Sequence, residues 1–247
     1  MQKRDLAVVV LAAGKGTRMK SETAKVLHPL GGRPMLSHVL DRVAGLAPKR
    51  VVLVVGFQAD AVRRLFSGEG IEFALQEQQL GTGHAVMQSE SALAGFAGDV
   101  LILCGDMPLM KTETLQRLIE KHRADRAACT FLSLKTPEAR DFGRVIRDAA
   151  GQVVRIVEHR DATPEEKTVD EYNSGVYCFQ KEFLFKALCE ITPENAQGEY
   201  YLTDTVQRLI QSGCSVEAVA TPDDTEIFGI NSLEDLKRAE ALLATRS

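Results

Sequence analysis

The sequence predicts an α/β protein whose core is a doubly wound, mostly parallel sheet and whose second half carries a small antiparallel elaboration. Three observations point there. Up to Cys104, short apolar runs alternate with amphipathic stretches of helical period, the pattern of βαβ units covered on both faces. From Cys129 onward strand-like runs come closer together and are separated by turns, which favours antiparallel pairing. No Pro-, Gly- or Ser-rich linker and no internal repeat divides the 247 residues, so one domain is expected.

Each element has its own signal. Residues 6–11 form an uninterrupted apolar run, a buried strand. A helix is expected over 35–46, with Pro34 suited to its first turn. Strands at 51–55, 71–75 and 100–104 alternate with helices at 59–66 and 83–93. In the second half, strands at 145–148 and 153–157 flank the turn Ala149-Ala150-Gly151-Gln152, with further strands at 129–134 and 172–179. Helices at 182–189 and 203–211 and a strand at 216–220 follow. The last helix opens with Ser232-Leu233-Glu234-Asp235, a capping-box-like start, and Leu236, Ala239 and Leu243 recur on one face.

Composition bounds the function. Thirty Lys and Arg against 34 Asp and Glu give a net charge of −4, which argues against bulk affinity for nucleic acid or an anionic membrane. No apolar stretch approaches the ~20 residues of a membrane span and no secretory cleavage pattern follows Met1, so a cytoplasmic location is expected. Cys104, Cys129, Cys178, Cys189 and Cys214 are odd in number and mostly sit in apolar runs, which reads as reduced core thiols. His28, His38, His84, His122 and His159 lack paired-ligand spacing, so no zinc site is expected.

The segment Leu11-Ala12-Ala13-Gly14-Lys15-Gly16-Thr17-Arg18-Met19 follows the first strand directly. A glycine-bearing basic loop at the carboxyl end of a parallel strand is where such folds hold phosphates, because backbone N–H groups can approach an anion where no Cβ intervenes. It is not a Walker A loop, since Lys15 falls between the glycines. Nor is it a dinucleotide loop, since Met19 stands at the third glycine position. Taken alone such a short motif favours the other reading, an ordinary βα turn with solvated lysines.

Downstream residues resolve this. Lys25-Val26-Leu27-His28, Gln76, Gln79-Leu80-Gly81-Thr82-Gly83-His84-Ala85 and Gly105-Asp106-Met107-Pro108-Leu109 follow in order. Phe142-Gly143-Arg144-Val145, Val157-Glu158-His159, Asn173-Ser174-Gly175, the run from Ala196 to Asp204, and Gly229-Ile230-Asn231 complete the set. Over nearly the whole chain this resembles the sugar-nucleotide pyrophosphorylases, most closely the uridylyltransferases that act on N-acetylglucosamine 1-phosphate.

The resemblance implies a Rossmann-like nucleotidyltransferase fold with a nucleotide-binding part at about 1–125, a sugar-binding part at about 126–231 and a terminal helix at 232–245. It implies formation of UDP-N-acetylglucosamine and pyrophosphate from UTP and N-acetylglucosamine 1-phosphate, by direct Mg²⁺-assisted attack of the sugar phosphate on the α-phosphorus. The second pKa of a phosphate monoester is ~6, so this nucleophile is already ionised and needs no general base. The remaining work is positioning and charge neutralisation. In the terms of the family, Leu11, Ala12, Ala13 and Gly14 cradle the nucleotide, and Arg18 and Lys25 face the triphosphate. Asp106 is the Mg²⁺ carboxylate with Asn231 as its oxygen-donating partner; Lys15 stays open between phosphate contact and solvated cation. Gln76, Gly81 and Thr82 meet the base, the Gln76 amide offering a donor and an acceptor to an imide edge. Gly105, Gly143, Glu158, Asn173, Tyr201 and Thr203 map onto the sugar pocket, Glu158 as a hydroxyl acceptor.

Two departures stand out. Ala24 replaces the proline that many relatives carry before the lysine, which predicts a looser Lys25 loop, and Cys104 takes a position that is often aromatic. The bifunctional relatives continue into a β-helix of hexapeptide repeats; none is found here, so acetyl transfer and β-helix trimerisation are not expected of this chain. The rival readings are the same chemistry on another sugar 1-phosphate or nucleotide, and a non-catalytic nucleotide-sugar sensor.

Overall fold

The computed structural model of the chain describes residues 4–68, 70–138 and 140–245. Its first half runs β1 (Asp5–Ala12), a short hairpin β2 (Pro29–Leu30) and β3 (Arg33–Pro34), α1 (Met35–Ala44), β4 (Arg50–Val55), α2 (Ala59–Phe66), β5 (Ile71–Leu75), α3 (Thr82–Met87) and β6 (Gly98–Cys104). There follow α4 (Thr112–Asp125), β7 (Cys129–Lys135), β8 (Arg144–Arg147), β9 (Val153–Val157), β10 (Glu171–Gln180), α5 (Lys181–Leu188), α6 (Asp204–Gln211), β11 (Val216–Thr221) and α7 (Leu233–Ala244).

Among the described residues the main sheet has nine strands, seven of them in the order β11-β7-β10-β6-β1-β4-β5. Pairing is parallel from β6 through β1 and β4 to β5, and again between β7 and β11. β10 is the exception, antiparallel to both β6 and β7. From Leu6 to Ala12 strand β1 is apolar because both its faces are covered. Ala7 and Val9 join one hydrophobic cluster, and Leu6, Val8 and Val10 join the other on the opposite face, as the two-residue period of a strand requires. The antiparallel hairpin β8–β9 attaches through Tyr172 of β10 opposite Arg144. The register of β10 against β7 shifts between Asn173 and Tyr177, and Gly175 has φ +83°. This bulge re-aims the strand where it passes beside the cleft.

Some elements differ from their sequence expectation. The helix expected over 83–93 stops at Met87, where the Ser89 hydroxyl bonds back to the Val86 carbonyl at 2.6 Å, and a separate turn at Ser91–Leu93 follows. Pro34 pairs in β3 and precedes α1 instead of entering it. Helix α4 carries no sequence assignment, because its buried stripe of Leu115, Leu118, Ile119 and His122 lies among many charged residues. Of the cysteines, all free, only Cys129 and Cys178 are buried, and Cys189 is exposed. Among the described residues no helix is long and apolar enough to cross a membrane.

Candidate active site

At the carboxyl ends of β1 and β6 four side chains from distant segments converge. The loop after β1 turns through Gly16, whose φ of +64° favours glycine and whose added Cβ would lie 2.6 Å from the Cβ of Lys25. The missing side chain lets the loop close over Lys25. Gly14 differs from the sequence expectation: its φ is not in the left-handed region and a Cβ there would meet nothing, so no contact within the protein requires glycine.

The Lys25 ammonium donates to Asp106 Oδ2 and, at 3.0 Å, to Asn231 Oδ1, which also accepts from Arg18 Nη2 at 2.9 Å. Asp106 follows β6, and its carbonyl accepts from Ile230 N–H at 2.9 Å, stitching the 229–231 segment to it. Asn231 is held in turn by the start of α7, where Asp235 accepts from the backbone N–H groups of Asn231 and Ser232. The Lys25 loop is not loosened by Ala24. The Ala24 N–H, which a proline would lack, donates to Gln58 Oε1 at 2.9 Å, and Gln58 Nε2 donates to the Glu22 carbonyl. Lys15 lies over the Phe57 ring, 5.6 Å from its centroid.

Two cavities open beside this cluster. One, of about 250 Å³, is lined by Leu11, Ala12, Ala13 and Gly14 at the end of β1, by the charged Lys25, Asp106 and Glu199, and by Gln76, Gly81 and Thr82. The second, of about 190 Å³, is lined by Gly143, Glu158, Asn173 and Thr203 together with Tyr177. Leu11, Thr82 and Cys104 belong to both, so the cavities share one wall. Arg18 and Asn231 stand outside the linings, joined to the Lys25 end. Gly105 and Tyr201 stand behind them: the Gly105 N–H bonds to the Leu11 carbonyl at 2.9 Å, and the Tyr201 hydroxyl donates to Asp161 at 3.1 Å.

The two cavities differ in chemistry. In the first, Gln76 is 3% exposed, and its Nε2 donates to the Gly81 carbonyl at 3.1 Å and faces His84 Nδ1 at 3.0 Å. A carbonyl can only accept, so this contact fixes the amide orientation and leaves the Gln76 oxygen as the acceptor. Gly81 has φ +107°, and a Cβ would come within 2.7 Å of the Tyr200 carbonyl, so only glycine lets the loop lie this close to the 199–203 segment. The second cavity is lined by carboxylates without a lining cation, since Arg144 turns to the Phe142 carbonyl and to His159. Burial raises the pKa of Glu158; the Thr203 hydroxyl, donating at 3.0 Å, opposes this, and Asp204, Asp161 and Glu199 add to it. Cys104 is half-buried as a residue, but desolvation at its sulfur pushes the thiol up to about 12, with Asp106 adding and Lys25 opposing.

Among the described residues no three His, Cys, Asp or Glu side chains gather as a metal cluster. The donors that converge are one carboxylate and one amide oxygen, with the Lys25 cation between them. That donor set fits Mg²⁺, which takes one or two protein oxygens and completes its shell with phosphates and water.

Several residues at the site escaped sequence reasoning. Asp161 joins the turn after β9 to the 196–203 segment through Ala196 N–H at 2.8 Å and the Tyr201 hydroxyl. Gln58 carries a left-handed φ of +53°, and Tyr177 sits in an apolar run. A polar residue in an αL turn could have marked Gln58; nothing local marks the other two.

The sequence matches the family described as MobA-like NTP transferase domain over residues 8–173. It is 50% identical over 243 residues to the bifunctional protein GlmU of Pelobacter propionicus, covering 98% of this chain and 53% of that one. It is likewise 50% identical to GlmU of Geobacter metallireducens, over 95% of this chain and 50% of the relative. To GlmU of Desulfotalea psychrophila it is 43% identical, over 98% of this chain and 71% of the other. The chain thus spans about half the length of the first two curated relatives.

Proposed function

From the premise that the chain belongs to the MobA-like NTP transferase family and is similar over nearly all its length to GlmU proteins, we propose that it joins UTP to N-acetylglucosamine 1-phosphate. The products are UDP-N-acetylglucosamine and pyrophosphate, and in this reading the enzyme works in the cytoplasm. One observation carries the reading. Two cavities meet at a shared wall of Leu11, Thr82 and Cys104, and among the described residues the one lining cation, Lys25, belongs to the first and acts on Cys104 of that wall.

In this reading residues at about 1–125 take the nucleotide and residues at about 126–231 take the sugar. The base faces Gln76, whose fixed carbonyl oxygen accepts from the N3–H of uracil; the corresponding ring nitrogen of cytosine is itself an acceptor and is mismatched. Gly81 and Thr82 close the same end. Arg18 and Lys25 lower the charge on the triphosphate and on the departing pyrophosphate. Asp106 and Asn231 would hold Mg²⁺, which when bound neutralises phosphate oxygens. Glu158 and Asn173 hydrogen-bond the sugar, and Tyr201 acts from behind through Asp161. The sugar phosphate attacks directly.

Pyrophosphate release in the presence of N-acetylglucosamine 1-phosphate tests this. The expected result is strong turnover with UTP, little with ATP, GTP or CTP, and loss on chelation of divalent cations. Equal rates with all four nucleotides would remove the base assignment. Binding of UDP-N-acetylglucosamine without any pyrophosphate production would make the chain a sensor.

A further inference from the structure

Resting on the assignment of the second cavity to the sugar, we propose that the Tyr177 hydroxyl is a further recognition group there, donating a hydrogen bond to an acceptor oxygen of the sugar. Tyr177 lies on β10 just beyond the bulge that carries Asn173, and it lines that cavity while only 1% exposed. Its ring is held by Phe179 at 5.7 Å and Phe131 at 6.0 Å between centroids. The buried hydroxyl has no hydrogen-bond partner that meets bonding geometry; the Asn173 side chain beside it acts on it as a donor, lowering its pKa, and the Asn173 oxygen already accepts from Gly175 N–H at 3.2 Å, so the phenol proton has no acceptor. Among the described residues the other buried polar atoms left without partners belong to His28, Asp99, His122, Arg140 and Arg144, and none of these lines either cavity.

A buried donor without an acceptor costs stability, and a ligand that supplies the acceptor recovers it. Because the two phenylalanines fix the ring, no rotamer freedom is lost when the bond forms. Burial, with Glu158 adding, holds the phenol well above its ordinary pKa, so the group keeps its proton and can donate. Two oxygens of a sugar could receive it, the carbonyl of an acylamino group or a ring hydroxyl. A phenylalanine here would pack identically and lack only the donor, so the hydroxyl is not explained by the core.

Tyr177→Phe is the direct test, assayed with N-acetylglucosamine 1-phosphate and with glucose 1-phosphate. The expected result is a rise of about tenfold in KM for the sugar phosphate, the size of one neutral hydrogen bond, with KM for UTP unchanged and thermal stability unchanged or raised. A rise confined to N-acetylglucosamine 1-phosphate identifies the acyl carbonyl, and an equal rise for both identifies a ring hydroxyl. Unchanged sugar constants overturn the proposal, leaving a hydroxyl that is merely unpaired or satisfied by water. A parallel rise for UTP overturns it too, as general distortion. A second measurement uses the native sequence labelled with 3-fluorotyrosine, in which the Tyr177 ¹⁹F resonance should shift on addition of UDP-N-acetylglucosamine; no shift overturns the assignment. Wild-type protein inactive with every sugar phosphate would instead sink the proposed reaction, and the ¹⁹F measurement would still read Tyr177.

Discussion

Asp106 and Lys25 illustrate how little chemistry this reaction asks of any one residue. The nucleophile arrives ionised, so each side chain contributes charge and position only, and its loss is expected in turnover, not in folding. Asp106→Asn keeps the side-chain shape and removes the charge. It should cut kcat by about two orders of magnitude or more while circular dichroism and thermal unfolding stay near those of the native chain. Near-normal kcat would remove Asp106 from its role. Glu158 predicts the opposite balance. Its folded pKa is raised, chiefly by burial, so the ionised form is destabilising. The penalty is absent below the unfolded value of 4.5, grows as pH rises through the folded pKa and persists above it. Glu158→Gln, which can still accept from Thr203, should therefore raise stability at neutral pH, with the gain vanishing at pH below 4.5. A gain independent of pH would contradict this origin. At this scale the sequence was informative where residues sit in a motif, as with Lys25 and Asp106. It was silent on Gln58, which holds Ala24 across 34 residues by a bond no local pattern encodes.

The β8–β9 hairpin is the element on which the second cavity depends, since Gly143 precedes β8 and Glu158 follows β9. It is fastened by Arg147, which forks onto Glu171 of β10 at 2.7 Å through both Nε and Nη2. Burial alone would raise the Glu171 pKa, but the hydrogen bonds from Arg147 and Ser133 outweigh it and hold the carboxyl below its ordinary value. Arg147→Met strands a buried carboxylate and should cost about 3 kcal/mol in urea unfolding, with Glu171→Gln in the same chain restoring most of it. An unchanged midpoint would show that the pair does not anchor the hairpin. Elements with strong local signals were legible in advance. The capping box of α7 is present as read, with Ser232 and Asp235 each bonding the other's backbone N–H. Helix α4 was not, because five buried positions among its charged residues leave a weak period. The bulge of β10 was not either, since pairing against β7 and not the local residues decides its register.

Across the whole molecule, the parallel strands β1 and β6 deliver the glycine loop and Asp106 to one edge, and the antiparallel β10 brings Asn173 to the adjoining cavity. The alternation of apolar runs was enough to foresee the sheet. What it could not convey was that the last helix returns, through Ile230 on Asp106, to place Asn231 against residues more than two hundred positions earlier. The central claim is that the two substrates meet at the wall shared by the cavities and react in one displacement, with no group of the protein intervening. The stereochemical course at the α-phosphorus, followed with a chiral α-thio analogue of UTP and N-acetylglucosamine 1-phosphate, tests it most directly. Inversion of configuration is the predicted result. Retention would require a covalent intermediate on the protein and contradict the account.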